Sequence, residues 1–455
     1  MNSLLLICFL LINPIILLLP ENNNFQYDYS TIKSVSKNTG LDSQTVTSKE
    51  SDESVIYFSP EAEPNILITN SIINKESGDS SKLEDSDLYG LNAAILAQGK
   101  DTPIVSVIGG QITTNAKGAN AVFGTNEASI STTSGLTITT NGISSRGLIS
   151  TFKGSVAGNE ISITTNGESS PALEMNEQGT SVCIGCTLNT NGKNSHLLYS
   201  KGANGGSINI ENTKGTAQNS KIACLDGSNT ISIKKNSEMK CGANPTKEDN
   251  DIDQSGIMLY QSGSRLLTGN TFGCEDSILE ILSTSKYYST APMFFVTNNG
   301  AAIQLKNCQI KYGSNIFINL KSTDVWGEKG SNGGDATIYL TEQNIEGDFV
   351  IDGISTLNLI LKKSTIKGTI NGANTAKVVN INLDIDSKIT ITGNSYCSSM
   401  TNEIKDGSNL INETYKWTIG TTPDGPTGSA KYILSSRFGI IYLCLILIIL
   451  DLIKI

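Results

Sequence analysis

The chain has 455 residues, of which 17% are charged and 6% are aromatic, and it carries a net charge of -10. An acidic balance disfavours nucleic acid or an anionic membrane surface as the partner, and one histidine leaves little room for histidine-based catalysis. The length would allow two or three domains. The 43 glycines and the abundance of Ser, Thr and Asn indicate either a polar disordered chain or a β-rich repeat.

The first 20 residues are predicted to be a secretory signal peptide. Residues 4–19 are almost entirely apolar, as in the core of a signal sequence. No Lys or Arg precedes them and no small-x-small cleavage site follows, so an uncleaved signal anchor is the alternative. Both interpretations send the protein into the secretory pathway. Residues 21–60 are then predicted to be a polar leader, with disorder as an open alternative.

The chain also ends in a hydrophobic segment, residues 438–455. The small residues Gly428 and Ser429, a spacer and an apolar tail follow the order of a GPI-anchor signal, which makes Gly428 and Ser429 candidate attachment sites. A single transmembrane helix is the alternative. Both predict a protein tethered to the membrane at the cell surface, with residues 401–437 as the stalk.

The middle of the chain is an internal repeat. The tetrapeptide Ile-Thr-Thr-Asn occurs at 112–115, 138–141 and 163–166, and Leu-Asn-Thr-Asn follows at 188–191, which gives steps of 26, 25 and 25 residues. Small apolar pairs beginning with Ala121-Val122 keep the same step, and further along the period shortens to 21. Two markers with one period favour a repeat architecture over disorder.

Within each repeat, apolar and polar residues alternate, which predicts short strands, and Gly, Asn and Ser predict turns between them. Such a unit cannot bury its apolar face alone, whereas stacked units can. The sequence therefore predicts an all-β fold, a parallel β-helix over residues 61–400 with about 21–26 residues per coil. The regular spacing of the repeat is interrupted near residues 234–256 and 262–290, where we expect loops that project from the stack.

Four segments resemble known proteins: residues 88–95, 330–334, 354–359 and 391–396. They look like segments of secreted adhesin-like proteins with right-handed, pectate-lyase-type β-helices. The resemblance implies a right-handed β-helix and a surface location, and it implies no reaction. We therefore expect a non-catalytic protein that adheres to, or recognises, glycans or another cell or matrix surface.

Two other functions stay open: a pectate-lyase-like polysaccharide lyase or glycoside hydrolase, and a self-assembling coat component. Pectin-degrading β-helices use clustered Asp with Arg, whereas this chain has three Arg and no Asp-Asp pair. The sequence therefore favours a protein that is not an enzyme. Self-association of the purified protein would indicate a coat component.

The residue before each apolar pair defines a column through successive coils, which includes Arg146, His196 and Lys221. Equivalent residues in adjacent coils lie about 4.8 Å apart. We expect these three residues to form a basic stripe on the surface that binds an anionic glycan. Unconnected turn residues are the alternative.

A second candidate is an acidic group, Asp249, Asp251 and Asp253, whose alternate spacing could supply oxygen ligands to calcium. Gln254 stands where a calcium loop of the EF-hand type needs Gly, so a solvated acidic loop is favoured and no other cofactor is expected. Outward Thr and Ser pairs, such as Thr137 with Thr139, form a short flat array of the kind that ice-binding β-helices use.

Nine cysteines are present, and seven remain after Cys8 and Cys444 of the terminal segments are set aside. In a secreted chain they allow up to three disulfide bonds, and the pairing stays open. Cys183 and Cys186 have C-x-x-C spacing without a thioredoxin-like context. One N-glycosylation sequon, at Asn412, lies beside the predicted stalk.

Overall fold

The computed structural model describes residues 27–64, 66–246, 252–265, 269–412 and 414–420. The predicted signal peptide, the hydrophobic C-terminal segment, Gly428 and Ser429 lie outside these residues. Within the described part of the chain, no helix is both long and apolar enough to span a bilayer.

The described residues form a right-handed parallel β-helix, which confirms the predicted fold class. Each strand pairs in parallel with its equivalent in the next coil, so that long sheets run along the solenoid. Sheet A contains β1 (Lys33–Lys37), β4 (Glu53–Phe58), β7 (Ile95–Gln98), β10 (Val122–Thr125), β13 (Leu148–Ser150), β16 (Leu173–Asn176), β19 (Leu198–Gly202), β22 (Ala223–Gly227), β25 (Ile257–Tyr260), β28 (Phe294–Thr297), β31 (Ile316–Leu320) and β34 (Asp348–Ile351).

Sheet B contains β2 (Leu41–Asp42), β5 (Leu67–Thr69), β8 (Val105–Ile108), β11 (Ser129–Thr133), β14 (Ser155–Asn159), β17 (Thr180–Ile184), β20 (Ser207–Glu211), β23 (Thr230–Lys234), β26 (Thr271–Glu275), β29 (Asn299–Lys306), β32 (Gly334–Thr341), β35 (Thr356–Lys362), β37 (Val378–Leu383) and β40 (Ser399–Asn402). Sheet C contains β3 (Thr45–Ser48), β6 (Ile72–Lys75), β9 (Gln111–Thr114), β12 (Thr137–Thr140), β15 (Ser162–Thr165), β18 (Thr187–Thr190), β21 (Lys214–Ala217), β24 (Glu238–Cys241), β27 (Ile278–Ile281) and β30 (Gln309–Lys311).

Two smaller sheets complete the C-terminal coils. Sheet D contains β33 (Asn344–Glu346), β36 (Thr365–Lys367), β38 (Lys388–Thr390) and β41 (Leu410–Ile411), and sheet E contains β39 (Ser395–Cys397) and β42 (Trp417–Ile419). One α-helix, α1 (Leu83–Tyr89), and one short 3-10 helix (Tyr29–Thr31) occur in the described residues. We number coils from the N-terminus, so that coil 1 holds β1–β3 and coil 10 holds β28–β30.

The β-helix is longer than the sequence predicted. It begins at Lys33, inside the segment 21–60 assigned to a polar leader, and parallel pairing continues to Ile419, inside the segment 401–437 assigned to a stalk. Strands β1–β4 all lie in the first of these segments. The sequence did not predict β1 because its side chains are mostly polar and none of them is fully buried.

The predicted loops are correct in part. Residues 242–246 and 252–256, between β24 and β25, lie outside the strands. The second predicted loop, 262–290, is interrupted by β26 and β27, in which inward and outward residues alternate as in the other coils.

One continuous hydrophobic core runs through the stack, built from Ile, Leu, Val, Ala and, in later coils, Phe. Four phenylalanines of coils 9–12 contact one another in series, with ring centroids 5.6, 5.3 and 5.1 Å apart: Phe272, Phe294, Phe317 and Phe349. Aromatic contacts of this kind add to the stabilisation that burial provides.

The corner between sheets C and A explains the repeated Thr-Asn-Gly sequence. In coil 4 the buried Thr140 Oγ1 donates a hydrogen bond to Ser145 O over 2.6 Å, and Ser145 Oγ donates to Ala116 O of the previous coil over 3.0 Å. A Cβ atom on Gly142 would lie 1.9 Å from Ala116 O. Glycine is therefore required here for close stacking of the coils.

Candidate functional site

A regular exposed surface lies on sheet C in coils 3–6. We call it the sheet C array; its twelve positions are Gln111, Thr113, Asn115, Thr137, Thr139, Asn141, Ser162, Thr164, Asn166, Thr187, Asn189 and Asn191. None of them carries a charge. Strand pairing holds the rows in register, and every side chain is exposed or half-buried.

An asparagine ladder forms one edge of this array. The Nδ2 of Asn141 donates to Oδ1 of Asn115, Asn166 to Asn141, and Asn191 to Asn166, each over 2.7 Å. An amide has two N–H groups and two acceptor lone pairs on its oxygen. Each inner asparagine therefore keeps hydrogen-bonding capacity for a ligand while the ladder fixes its orientation.

Charged residues occur on sheet C immediately after the array. Lys214 follows in coil 7 in register with Thr187. In coil 8 Lys240 Nζ lies 2.7 Å from Glu238 Oε1 and 3.7 Å from Glu280 Oε2 of the next coil. In coils 1 and 2 the column of Asn115 is occupied by Lys49 and Glu76, whose Nζ and Oε2 lie 3.2 Å apart. The uncharged array therefore lies between coils that carry charges.

The structure does not place the predicted basic stripe on the surface. The side chain of Arg146 is 7% exposed; its Nε lies 2.7 Å from Glu174 Oε2, and its guanidinium also pairs with Asp87 of α1. The expectation that this column faces solvent is wrong, because α1 and the segments that contain Ile252 and Trp326 pack over sheet A.

The other two members of the column are also buried. His196 Nδ1 lies 2.7 Å from Ser220 Oγ, and burial, with the nearby charge of Lys221, lowers the pKa of His196 to about 3. Lys221 Nζ donates to Asn244 O over 2.6 Å and lies 3.8 Å from Asp253 Oδ2. These contacts hold the segment after β24 against the solenoid.

The outer side of sheet A is covered along most of its length. Its register-paired outward residues are Tyr57, Leu96, Phe123, Ile149, Glu174, Tyr199, Cys224, Met258 and Phe295. The first four form a buried cluster against which Ile32 packs, and Ile252 and Trp326 pack against a cluster that includes the last three.

Two buried carboxylates lie on this side of sheet A. Glu174 on β16 accepts from Arg146 and from Asn176 Nδ2, and Asp226 on β22 accepts from the backbone N–H of Ser262 over 2.8 Å. Burial raises the pKa of Glu174 and that of Asp226. Sequence reasoning missed this pair because the two residues are 52 positions apart in the chain.

The candidate calcium site lies partly outside the described residues, which exclude Asp249 and Asp251. Asp253 accepts hydrogen bonds from the backbone N–H of Thr246 over 3.1 Å and faces Lys221, so its oxygens are engaged within the protein. Across the described ranges, no group of three or more His, Cys, Asp or Glu residues is arranged to hold a metal ion.

The described cysteines comprise one disulfide bond and five thiols. Cys274 is bonded to Cys308, and the thiols of Cys183, Cys186, Cys224, Cys241 and Cys397 are buried. Asn412 of the predicted sequon directly follows β41 and is exposed.

Comparison with family models, curated proteins and solved structures finds no match for this chain. The described residues define the protein as a right-handed parallel β-helix.

Proposed function

We propose that this protein recognises an uncharged, hydroxyl-rich polysaccharide at a cell surface, without catalysis, through the sheet C array. One observation carries the proposal: twelve adjacent outward positions of four coils carry only hydroxyl or amide side chains. Hydroxyl and amide groups both donate and accept hydrogen bonds, as the hydroxyl groups of a neutral sugar do.

The geometry of the array favours an extended ligand. Successive rows lie about 4.8 Å apart, a spacing of the same size as the length of one sugar ring. The rigid scaffold and the asparagine ladder orient the side chains before binding, which reduces the entropy lost on association. The buried positions of Arg146, His196 and Lys221 remove the reason to expect an anionic ligand.

The location of the protein is part of the same proposal. A signal peptide at residues 1–20 and a GPI signal or transmembrane helix at 438–455 would tether the solenoid to the outer membrane face, with the array directed at another cell or at matrix. Membrane fractionation with and without a GPI-cleaving phospholipase distinguishes the two anchors.

Binding is tested with full-length protein in a non-glycosidic detergent, immobilised and probed with neutral, uronate and sulfated polysaccharides. The paired substitution Thr139→Lys and Thr164→Lys places two cations in adjacent rows of the array. We expect it to weaken binding about tenfold or more, since one or two hydrogen bonds of about 1 kcal/mol each are lost.

A matched control is available on sheet B. Asn209→Lys with Ser232→Lys also places two lysines at register-paired, half-buried outward positions of adjacent coils. This pair is expected to retain binding. Equal loss of binding in both variants, or a preference for uronate or sulfated polymers, would contradict the proposal. Thermal hysteresis in a solution of the protein would identify ice as the ligand instead.

An enzyme is the second candidate, because Glu174 and Asp226 have raised pKa values on one side of sheet A and Lys201 lies on the strand between them. Glu174 is bound to Arg146 and Asn176, which favours a structural role. Turnover of polygalacturonate or a neutral glycan by the wild-type protein, abolished in Asp226→Asn, would establish the enzyme.

A further inference from the structure

Two columns of side chains meet at the corner between sheets B and C, and cysteine occurs twice in each. The inward column passes through Cys183, Ile210, Ile233 and Cys274, which pair in register. The corner column contains Cys186, Thr213, Ser237, Ser277 and Cys308. The backbone N–H of each of the first three donates a hydrogen bond to the side chain of the following member of the column, over 3.1 to 3.2 Å.

The disulfide bond of the structure joins these two columns. Cys274 of coil 9 is the inward residue and Cys308 of coil 10 is the corner residue. Cys183 and Cys186 occupy the same two columns within coil 6. The bond of Cys274 with Cys308 shows that side chains of the two columns can be linked between adjacent coils; in coil 6 both columns carry cysteine within one coil.

The local geometry brings the two sulfur atoms of coil 6 together. Only Ile184 and Gly185 separate the cysteines, and Gly185 has φ of 67°, which turns the chain back at the corner. The Sγ atoms of Cys183 and Cys186 share a hydrogen bond. Cys186 Sγ also lies 3.6 Å from Gly158 O, and both residues are buried.

We propose that Cys183 and Cys186 form a second disulfide bond, introduced by thiol–disulfide exchange while the protein folds in the secretory pathway. The oxidant belongs to the class of dithiol–disulfide oxidoreductases. The Cys186 thiolate attacks the disulfide of the oxidant, forms a mixed disulfide and releases one thiolate. The Cys183 thiolate then attacks Cys186 Sγ, which breaks the mixed disulfide and releases the second thiolate; the two released thiolates take up the two cysteine protons.

The order of attack follows from the environments of the two thiols. The hydrogen bond from Cys183 lowers the pKa of Cys186, whereas burial raises the pKa of Cys183. The thiolate is the nucleophile in exchange, so Cys186 is the better first attacker. The bond closes the corner that leads from β17 into β18, directly behind the last row of the sheet C array.

Peptide mapping tests the proposal on full-length protein expressed through the endoplasmic reticulum of a eukaryotic cell, which supplies the oxidant. The protein is denatured in acid, alkylated without reduction and digested with trypsin. Residues 154–193 form one tryptic peptide that contains Cys183 and Cys186 and no other cysteine. We expect this peptide to be unalkylated, two hydrogen masses lighter than the dithiol, and alkylated twice after reduction.

Other peptides supply the controls. Cys224 and Cys241 fall in separate peptides, 222–234 and 241–247, and are expected to be alkylated before reduction. The Cys183→Ala variant should leave Cys186 open to alkylation without reduction. Alkylation of both Cys183 and Cys186 in unreduced wild type, or linkage of either to another cysteine, would overturn the proposal whatever the state of Cys274 and Cys308. Neither result depends on whether a polysaccharide binds.

Discussion

Substitution of Gly167 by alanine should loosen the stack locally, because the glycine corner leaves no room for a side chain. A Cβ atom at Gly167 would lie 1.8 Å from Gly142 O, whereas ordinary contact begins at 3.4 Å, so the two coils would have to separate by about 1.6 Å. Gly167 has no positive φ, which assigns the effect to stacking and not to backbone strain.

The magnitude follows from the contacts that bind these coils. Separation would weaken the bond from Asn166 N–H to Thr140 O, at 2.8 Å, and that from Ser170 Oγ to Gly142 O, at 3.1 Å. Overpacking costs about 1–3 kcal/mol and each weakened hydrogen bond about 1 kcal/mol. We expect the free energy of local opening to fall by at least about 3 kcal/mol.

Hydrogen exchange measured by mass spectrometry is the suitable assay, since a long solenoid need not unfold in one step. A loss of about 3 kcal/mol should accelerate exchange of the amides in residues 160–193 about 100-fold. Distant coils should be unaffected, because each coil contacts only its neighbours.

Gly273→Ala is the matched control. Its Cβ atom would meet nothing closer than 3.9 Å, and its φ is not positive. This variant is expected to be neutral or to stabilise by about 0.5 kcal/mol through the unfolded state. Unchanged exchange in Gly167→Ala, or equal acceleration in both variants, would refute the stacking argument.

Three further predictions concern charge, pH and modification. Glu174→Gln removes one of the two carboxylates that pair with the buried Arg146 and leaves Asp87 as the remaining partner; it should lower the free energy of local opening by about 3 kcal/mol, whereas Lys37→Met, which breaks an exposed pair, should cost under about 1 kcal/mol in the same hydrogen-exchange measurement. The pKa of His196 is lowered to about 3, so the unfolded chain binds a proton at a higher pH than the folded protein does. The free energy of unfolding should therefore be full above about pH 6.5 and lower by about 2 kcal/mol at pH 5. His196→Gln removes the sole histidine and should abolish this dependence on pH. Asn412→Gln should remove one N-glycan from protein made in the secretory pathway, seen as a single mobility shift that glycosidase treatment of wild type reproduces.

The repeat made the fold predictable because inward and outward residues alternate within each coil. Ile138 and Thr140 point inward and Thr137 and Thr139 outward, as their spacing predicts. Periodicity of this kind reports the position of a residue relative to its own strand. It could not report that α1 packs over sheet A, since Asp87 and Arg146 are 59 residues apart.

One signal in the sequence does point to the covered face. Strands such as Ile257–Tyr260 and Phe294–Thr297 of sheet A are apolar or nearly so without alternation, which is typical of strands buried on both sides. Arg146 directly precedes a strand of this sheet, so the same signal would have predicted that its cation is buried and needs an acidic partner.

The contrast between the sheet C array and the charged coils on either side of it indicates that the absence of charge in the array is not a demand of the fold, as the proposed ligand surface requires. The stack itself requires the buried Thr140, Gly142 and Ser145, whose contacts lie inside the corner. Outward positions of the same sheet accept lysine and glutamate in coils 7–10, where they form ion pairs. Such pairs lie on the outward face of the sheet, where ion pairs contribute little to stability, so the fold would tolerate them equally in coils 3–6.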